Sequence, residues 1–263
     1  MINLQCMSRV EVNDISNIIN EKYNPTKTVL TGLKIKILER YSKYLELETN
    51  NRISPIAFSI DEKNALTSLY SSKTKTATII ANEVFDRVNP NHSDRCLYCG
   101  IGEFDQIDHY LPQEHFPEFA ILHKNLIPIC GTCNEIKGAN IPGVAGKDYL
   151  HLIYDILPIE KIFNCDVTFK NLLPNITFST VTNFDGTVLN IHFLELKLKH
   201  RIEKKSVQYS LQIKALKEKF GSDYAKEELV RDLNKSDAFF GKYYWRTELI
   251  LAMINSNFVD NVN

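Results

Sequence analysis

The chain has 263 residues, 44% of them hydrophobic, with 31 Lys and Arg against 32 Asp and Glu. That length and composition suit a folded protein with a substantial core, in one large or two smaller domains. The net charge of −1 argues against a broad polyanion-binding face built from Lys and Arg, though not against a local basic groove.

In chain order, residues 1–90 read as a helical region. Residues 30–47 set Leu33, Ile37, Leu38, Tyr41 and Leu45 at helical spacing between charged residues. Residues 61–88 continue the theme with Leu66, Leu69, Tyr70, Ile79, Ile80, Val84 and Phe85; Asp61 is the expected cap and Asn89-Pro90 the expected stop. Residues 91–146 form a Cys-rich module that exits through a Gly-rich loop. Residues 147–263 make a C-terminal α/β region. Runs at 166–170, 176–181 and 188–193 are rich in Val, Ile, Thr and Phe and predict strands, with 183–186 as a turn. Helical spacing returns at Leu198, Ile202, Tyr209, Ile213, Leu216 and Phe220, and a last helix is expected near 238–254. No apolar run approaches the ~20 residues needed to cross a bilayer. The first residues show no basic stretch followed by an apolar core, so a cytoplasmic setting is expected.

The six cysteines are Cys6, Cys96, Cys99, Cys130, Cys133 and Cys165. Four fall into two Cys-x-x-Cys pairs, a spacing that lets a tight turn aim both sulfurs at one ion. Four thiolates close a tetrahedral shell and leave no place for water, so the expected ion is structural zinc. Cys6 and Cys165 read as small apolar residues.

Between and beside the pairs lie groups suited to hydrolysis. His109, with an ordinary imidazole pKa near ~6.5, can take a proton from water. Asp108 and Asn134 offer hard oxygen donors of the kind Mg²⁺ or Mn²⁺ prefers. Residues 103–107 read as a strand that Pro112 ends, and Cys130 as the opening of a helix carrying Asn134. Zinc would then clamp the hairpin start to the helix start. Together these point to a metal-dependent nuclease. His115 and His123 lie nearby with nothing to fix them in the site and are expected at the surface. His92, His151, His192 and His200 are expected to be structural or superficial.

The segment CLYCGIGEFDQIDHYLPQEHFPEFAILHKNLIPICGTCNEIKG resembles the HNH, or ββα-metal, endonuclease family. The matching residues are Asp108-His109, Asn125 in Asn-Leu-Ile-Pro, Asn134 in Cys-Asn-Glu-Ile-Lys-Gly, and the framing cysteines. The match covers about 45 of the 263 residues. The resemblance implies an α+β protein whose zinc-stapled ββα-metal module has helices before it and a small sheet with helices after it. It implies that His109 is the general base and that Asp108 and Asn134 hold the divalent ion. It also implies that Asn125 braces the loop that orients His109, and that Lys137 sits near the phosphate. Asn134 stands where the eponymous pattern has His, a variation common in the family that favours a hard ion.

Residues 191–201 are similar to flanks of HNH nucleases in bacterial anti-phage systems of the Septu type, which work beside an ATPase partner. The basic run 197–205 is a candidate phosphate contact, although a charged run at a helix start is more often a solvated face. The expected substrate is DNA. The competing expectation is a zinc-dependent nucleic-acid-binding or partner-binding module without catalysis of its own.

Overall fold

The computed structural model describes residues 4, 7, 9–44, 53–88, 95–155, 161–170, 173–181, 186–240 and 244–262, and of 237–240 only the backbone. The fold is α+β, with helices and, among the described residues, two small antiparallel sheets. The chain divides into two compact units, one from Ile2–Asn89 and Phe104–Ile156, the other from Pro90–Glu103 and Leu157–Asn263.

The first unit begins with four helices: α1 (Glu11–Asn20), α2 (Thr26–Tyr44), α3 (Ile60–Ser71) and α4 (Lys75–Asp86). In α2 the buried side chains are Leu30, Leu33, Ile37, Arg40, Tyr41 and Tyr44, the stripe a 3.6-residue period gives. The expected single helix over 61–88 is two helices. Lys73 adopts a left-handed conformation (φ 46°), and the Thr74 hydroxyl caps α4 by accepting from the Ala77 N–H at 3.3 Å. The cap of α3 is Ser59, not Asp61: Ser59 and Glu62 form a reciprocal capping box. The expected stop at Asn89-Pro90 lies outside the described residues, as do Cys6 and His92.

A short hairpin follows. Strand β1 (Gln106–His109) pairs antiparallel with β2 (Leu126–Ile129), setting Asp108 opposite Ile127 and His109 opposite Leu126. Helix α5 (Gly131–Lys137) starts directly after Cys130 and ends at Gly138, whose φ of 50° suits glycine. The loop between the strands carries a one-turn helix, Pro117–Phe119, on which α2 and α3 pack. Arg40 of α2 forms a buried ion pair with Glu118 of that turn at 2.7 Å. Helix α4 packs on β2 and α5 on β1.

In the second unit, β3 (Phe163–Lys170) and β4 (Leu173–Thr180) form an antiparallel pair against α9 and α7 respectively. The expected strand over 188–193 is a helix, α6 (Val188–Glu195). Its buried residues Leu189, His192 and Phe193 follow i, i+3, i+4 spacing, and the Thr187 hydroxyl caps it. The turn expected at 183–186 falls mainly on residues outside those described. After Lys197, left-handed at φ 52°, come α7 (Leu198–Phe220), α8 (Ser222–Phe240), α9 (Trp245–Asn255) and α10 (Phe258–Asn261). The helix expected over 238–254 is thus the end of α8 and the whole of α9. No helix among the described residues is long and apolar enough to cross a membrane.

Candidate metal and catalytic centre

Strand β1 ends at the pair Asp108-His109, both buried. They line one pocket of about 250 Å³ together with Asn134, Tyr70, Gln113 and Glu114. Adjacent strand residues normally face opposite ways; the strand stops at His109, and the chain leaves the ladder there.

The His109 Nε2 lies 2.9 Å from the Ala120 carbonyl oxygen. A carbonyl only accepts, so Nε2 carries the proton and Nδ1 keeps its lone pair. Burial lowers the imidazole pKa to about 4, which keeps the ring neutral at physiological pH. One ring nitrogen is thus tied to the backbone and the other is bare, the geometry a general base needs, while the low pKa makes the metal-free imidazole a weak one.

Asp108 pairs with Lys137, whose ammonium lies 3.1 Å from Oδ1 and 3.0 Å from Oδ2 and donates to the His109 carbonyl at 2.7 Å. The Oδ2 contact is an ion pair without hydrogen-bond geometry. Burial raises the Asp108 carboxyl to about 6, with the Lys137 ammonium opposing the shift. The phosphate contact expected of Lys137 is not what the fold provides. Its side chain is wholly buried and does not line the pocket; it ties α5 to the end of β1. Removing one member of such a pair strands the other, so Lys137→Met should lower stability by about 3–5 kcal/mol. Asp108→Asn with Lys137→Met should recover much of that loss. Urea unfolding of the single and double variants checks it, and strictly additive losses would contradict the pairing.

Asn125 is fully buried. Its amide donates to the carbonyls of Leu111 (3.1 Å) and Phe119 (3.2 Å), and its Oδ1 accepts from the Leu111 N–H (2.8 Å) and the Tyr44 hydroxyl (3.0 Å). The loop is therefore pinned at both ends, beside the Ala120 carbonyl that holds His109. Tyr44 spends its only proton on Asn125, so the His151 Nε2–H, 3.0 Å away, donates to the phenol oxygen. Asn125→Ala removes four buried hydrogen bonds, two of them to the Leu111 backbone, and should destabilise by about 3 kcal/mol or more. A shifted urea midpoint at unchanged slope is the expected reading.

Asn134, on α5, donates through Nδ2 to Gln106 Oε1 at 2.8 Å. Its Oδ1 is a hard oxygen donor of the kind a Mg²⁺-class ion accepts.

Cys96, Cys99, Cys130 and Cys133 are buried, and their sulfurs all lie within 4.8 Å of one another. None is in a disulfide. A tetrahedral zinc with bonds of about 2.3 Å sets its sulfurs about 3.8 Å apart, so the cluster fits one ion. The Cys99 sulfur also accepts from the Ile101 N–H and the Arg201 guanidinium, each at 3.4 Å, contacts that favour a thiolate. The Gly100 carbonyl of the same turn accepts from the Tyr244 hydroxyl (2.5 Å) and the Trp245 indole (3.1 Å). A Cβ at Gly100 would lie 2.7 Å from the Tyr244 ring, so only glycine fits there.

Protein Ea31 of Escherichia phage lambda is 36% identical to this chain over 73 residues. That stretch spans 27% of this chain and 25% of Ea31, so the chain covers about a quarter of its relative. No family model and no solved structure matches the chain.

His123, expected at the surface, is 1% exposed, and burial lowers its pKa to about 4. His115 and His200 are exposed, whereas His151 and His192 are buried. The His192 Nε2 donates to the Tyr98 carbonyl at 3.2 Å. In the basic run, Lys197, Lys199, Lys204 and Lys205 are exposed. Sequence reasoning read Tyr70 as one more apolar helix position, although it lines the pocket.

Proposed function

We propose that this chain is a metal-dependent endonuclease of the HNH (ββα-metal) type that hydrolyses phosphodiester bonds in DNA. The observation that carries the reading is the state of His109. It is a neutral imidazole with Nε2–H committed to the Ala120 carbonyl, in the same pocket as Asp108 and Asn134. The hairpin-then-helix order and the four-cysteine cluster support the same reading.

In this mechanism His109 Nδ1 takes the proton of the water that attacks phosphorus. Asp108 and Asn134 are the residues that would hold a Mg²⁺ or Mn²⁺ ion, which would supply Lewis-acid stabilisation of the phosphate and leaving oxygens. Lys137 fixes Asp108 and the His109 backbone from below, and Asn125 fixes the loop that carries the Ala120 carbonyl. The four cysteines hold a structural zinc. We further propose a role in bacterial anti-phage defence beside an ATPase partner, on the resemblance of residues 191–201 alone.

The test is cleavage of supercoiled plasmid by the purified, zinc-loaded protein with and without Mg²⁺ or Mn²⁺. Divalent-dependent nicking or linearisation is expected. Binding of DNA without cleavage, alone and with a co-purified ATPase, would favour the non-catalytic binding module instead.

A further inference from the structure

The pocket has a wall that the Cys-rich segment does not supply. Tyr70 sits in the last turn of α3, in the helical region that precedes the cysteines. Its ring meets the His109 imidazole edge to face, with centroids 4.8 Å apart and planes at 82°. It also lines the pocket with Asp108, His109 and Asn134. Two restraints thus act on the imidazole. The bond from Nε2 to the Ala120 carbonyl fixes the tautomer and one corner of the ring. One hydrogen bond is a pivot, with a broad range of acceptable angles at the carbonyl. The Tyr70 ring supplies a second point of support, in the T-shaped geometry that aromatic quadrupoles favour. Helix α3 also packs on the Pro117–Phe119 turn that leads into Ala120. One helix therefore carries the ring contact and backs the segment that carries the carbonyl.

We infer that Tyr70 is a positioning residue for His109, its ring holding the imidazole so that Nδ1 is presented to the pocket. The inference rests on the proposed role of His109 as base. The ring carries the effect, because the hydroxyl makes no hydrogen bond to any described residue. The helical region before the cysteines is then part of the catalytic unit as well as a cover for the hairpin.

Two variants test it. Tyr70→Phe keeps the ring, and Tyr70→Leu keeps apolar bulk without it, so both should fold. The expected kcat for plasmid cleavage is within about twofold of the parent for Tyr70→Phe and about tenfold lower for Tyr70→Leu, with KM little changed, as when a base is misaligned but substrate contacts persist. A second readout needs no activity: the ¹⁵N shifts of the His109 ring in the zinc-loaded, Mg²⁺-free protein, assigned by their loss in His109→Gln. The parent and Tyr70→Phe should show the Nε2–H tautomer, and Tyr70→Leu should show averaged ring-nitrogen shifts. Tyr70→Leu with the parent's kcat and ring shifts, or Tyr70→Phe as slow as Tyr70→Leu, overturns the inference. If the parent cleaves nothing, the proposed function fails, and the nitrogen shifts alone decide whether Tyr70 holds the ring.

Discussion

His109→Ala and His109→Gln should each leave a folded, zinc-loaded protein whose divalent-dependent cleavage of DNA has fallen by about a thousandfold, within the 10²–10⁴ that a positioned general base contributes. The two substitutions divide chemistry from structure. Alanine removes the base, the bond to the Ala120 carbonyl and the contact with Tyr70 together, and should destabilise by about 1–3 kcal/mol for the buried acceptor left unpaired. Glutamine keeps an amide N–H able to reach that carbonyl but has no nitrogen that accepts a proton at neutral pH. If both variants lose cleavage while only alanine loses stability, the defect lies in proton transfer. Full activity in the glutamine variant would remove His109 from the mechanism and take the proposed function with it. Metal content must be measured alongside: zinc should stay at the parent's level in both, because neither change touches a cysteine.

How much of this was legible in the sequence varied with the range of the interaction. The Cys-x-x-Cys spacing announced the thiol cluster, because two short-range turns produce it and the residue type leaves few other uses. Asp108, His109 and Asn134 were legible as a set for a similar reason, since chemistry-bearing residue types crowd one segment. Lys137 was misjudged. The resemblance set Lys137 near the phosphate, and only the fold reveals that its ammonium reaches Asp108 and the His109 carbonyl instead. Tyr70 was invisible as a site residue because its partner is distant in the chain, and its spacing fits an ordinary apolar stripe. The segment 188–193 was misjudged as strand because Val, Leu, Ile and Phe carry both β-propensity and a helical i, i+3, i+4 pattern in so short a run. The deciding signal was local, the Thr187 cap. His123 was misjudged because burial comes from packing, which no short window of sequence encodes.

The zinc assignment makes the other large prediction. Cys133→Ser removes one of four thiolates from a buried cluster, and the serine hydroxyl left in its place is a much poorer ligand for a borderline-soft ion. Bound zinc should fall well below one per chain. Structural zinc contributes about 10–16 kcal/mol of apparent binding free energy in zinc-finger peptides. If even a third of that acts on this fold, the melting temperature should drop by about 7–20 °C, at roughly 2–4 °C per kcal/mol for a chain of this size class. Cys165→Ser is the matched control. Cys165 lies in β3, half-buried and outside the cluster, so zinc content should not change and the melting temperature should move little. Chelation gives the same result without mutation and separates the two metals. After EDTA, added Zn²⁺ should restore the parent's melting curve, whereas Mg²⁺ alone should not. Mg²⁺ added to the zinc-restored protein should return cleavage without further change in melting. A Cys133→Ser protein with the parent's melting temperature and undiminished zinc would mean that the four sulfurs hold no ion together.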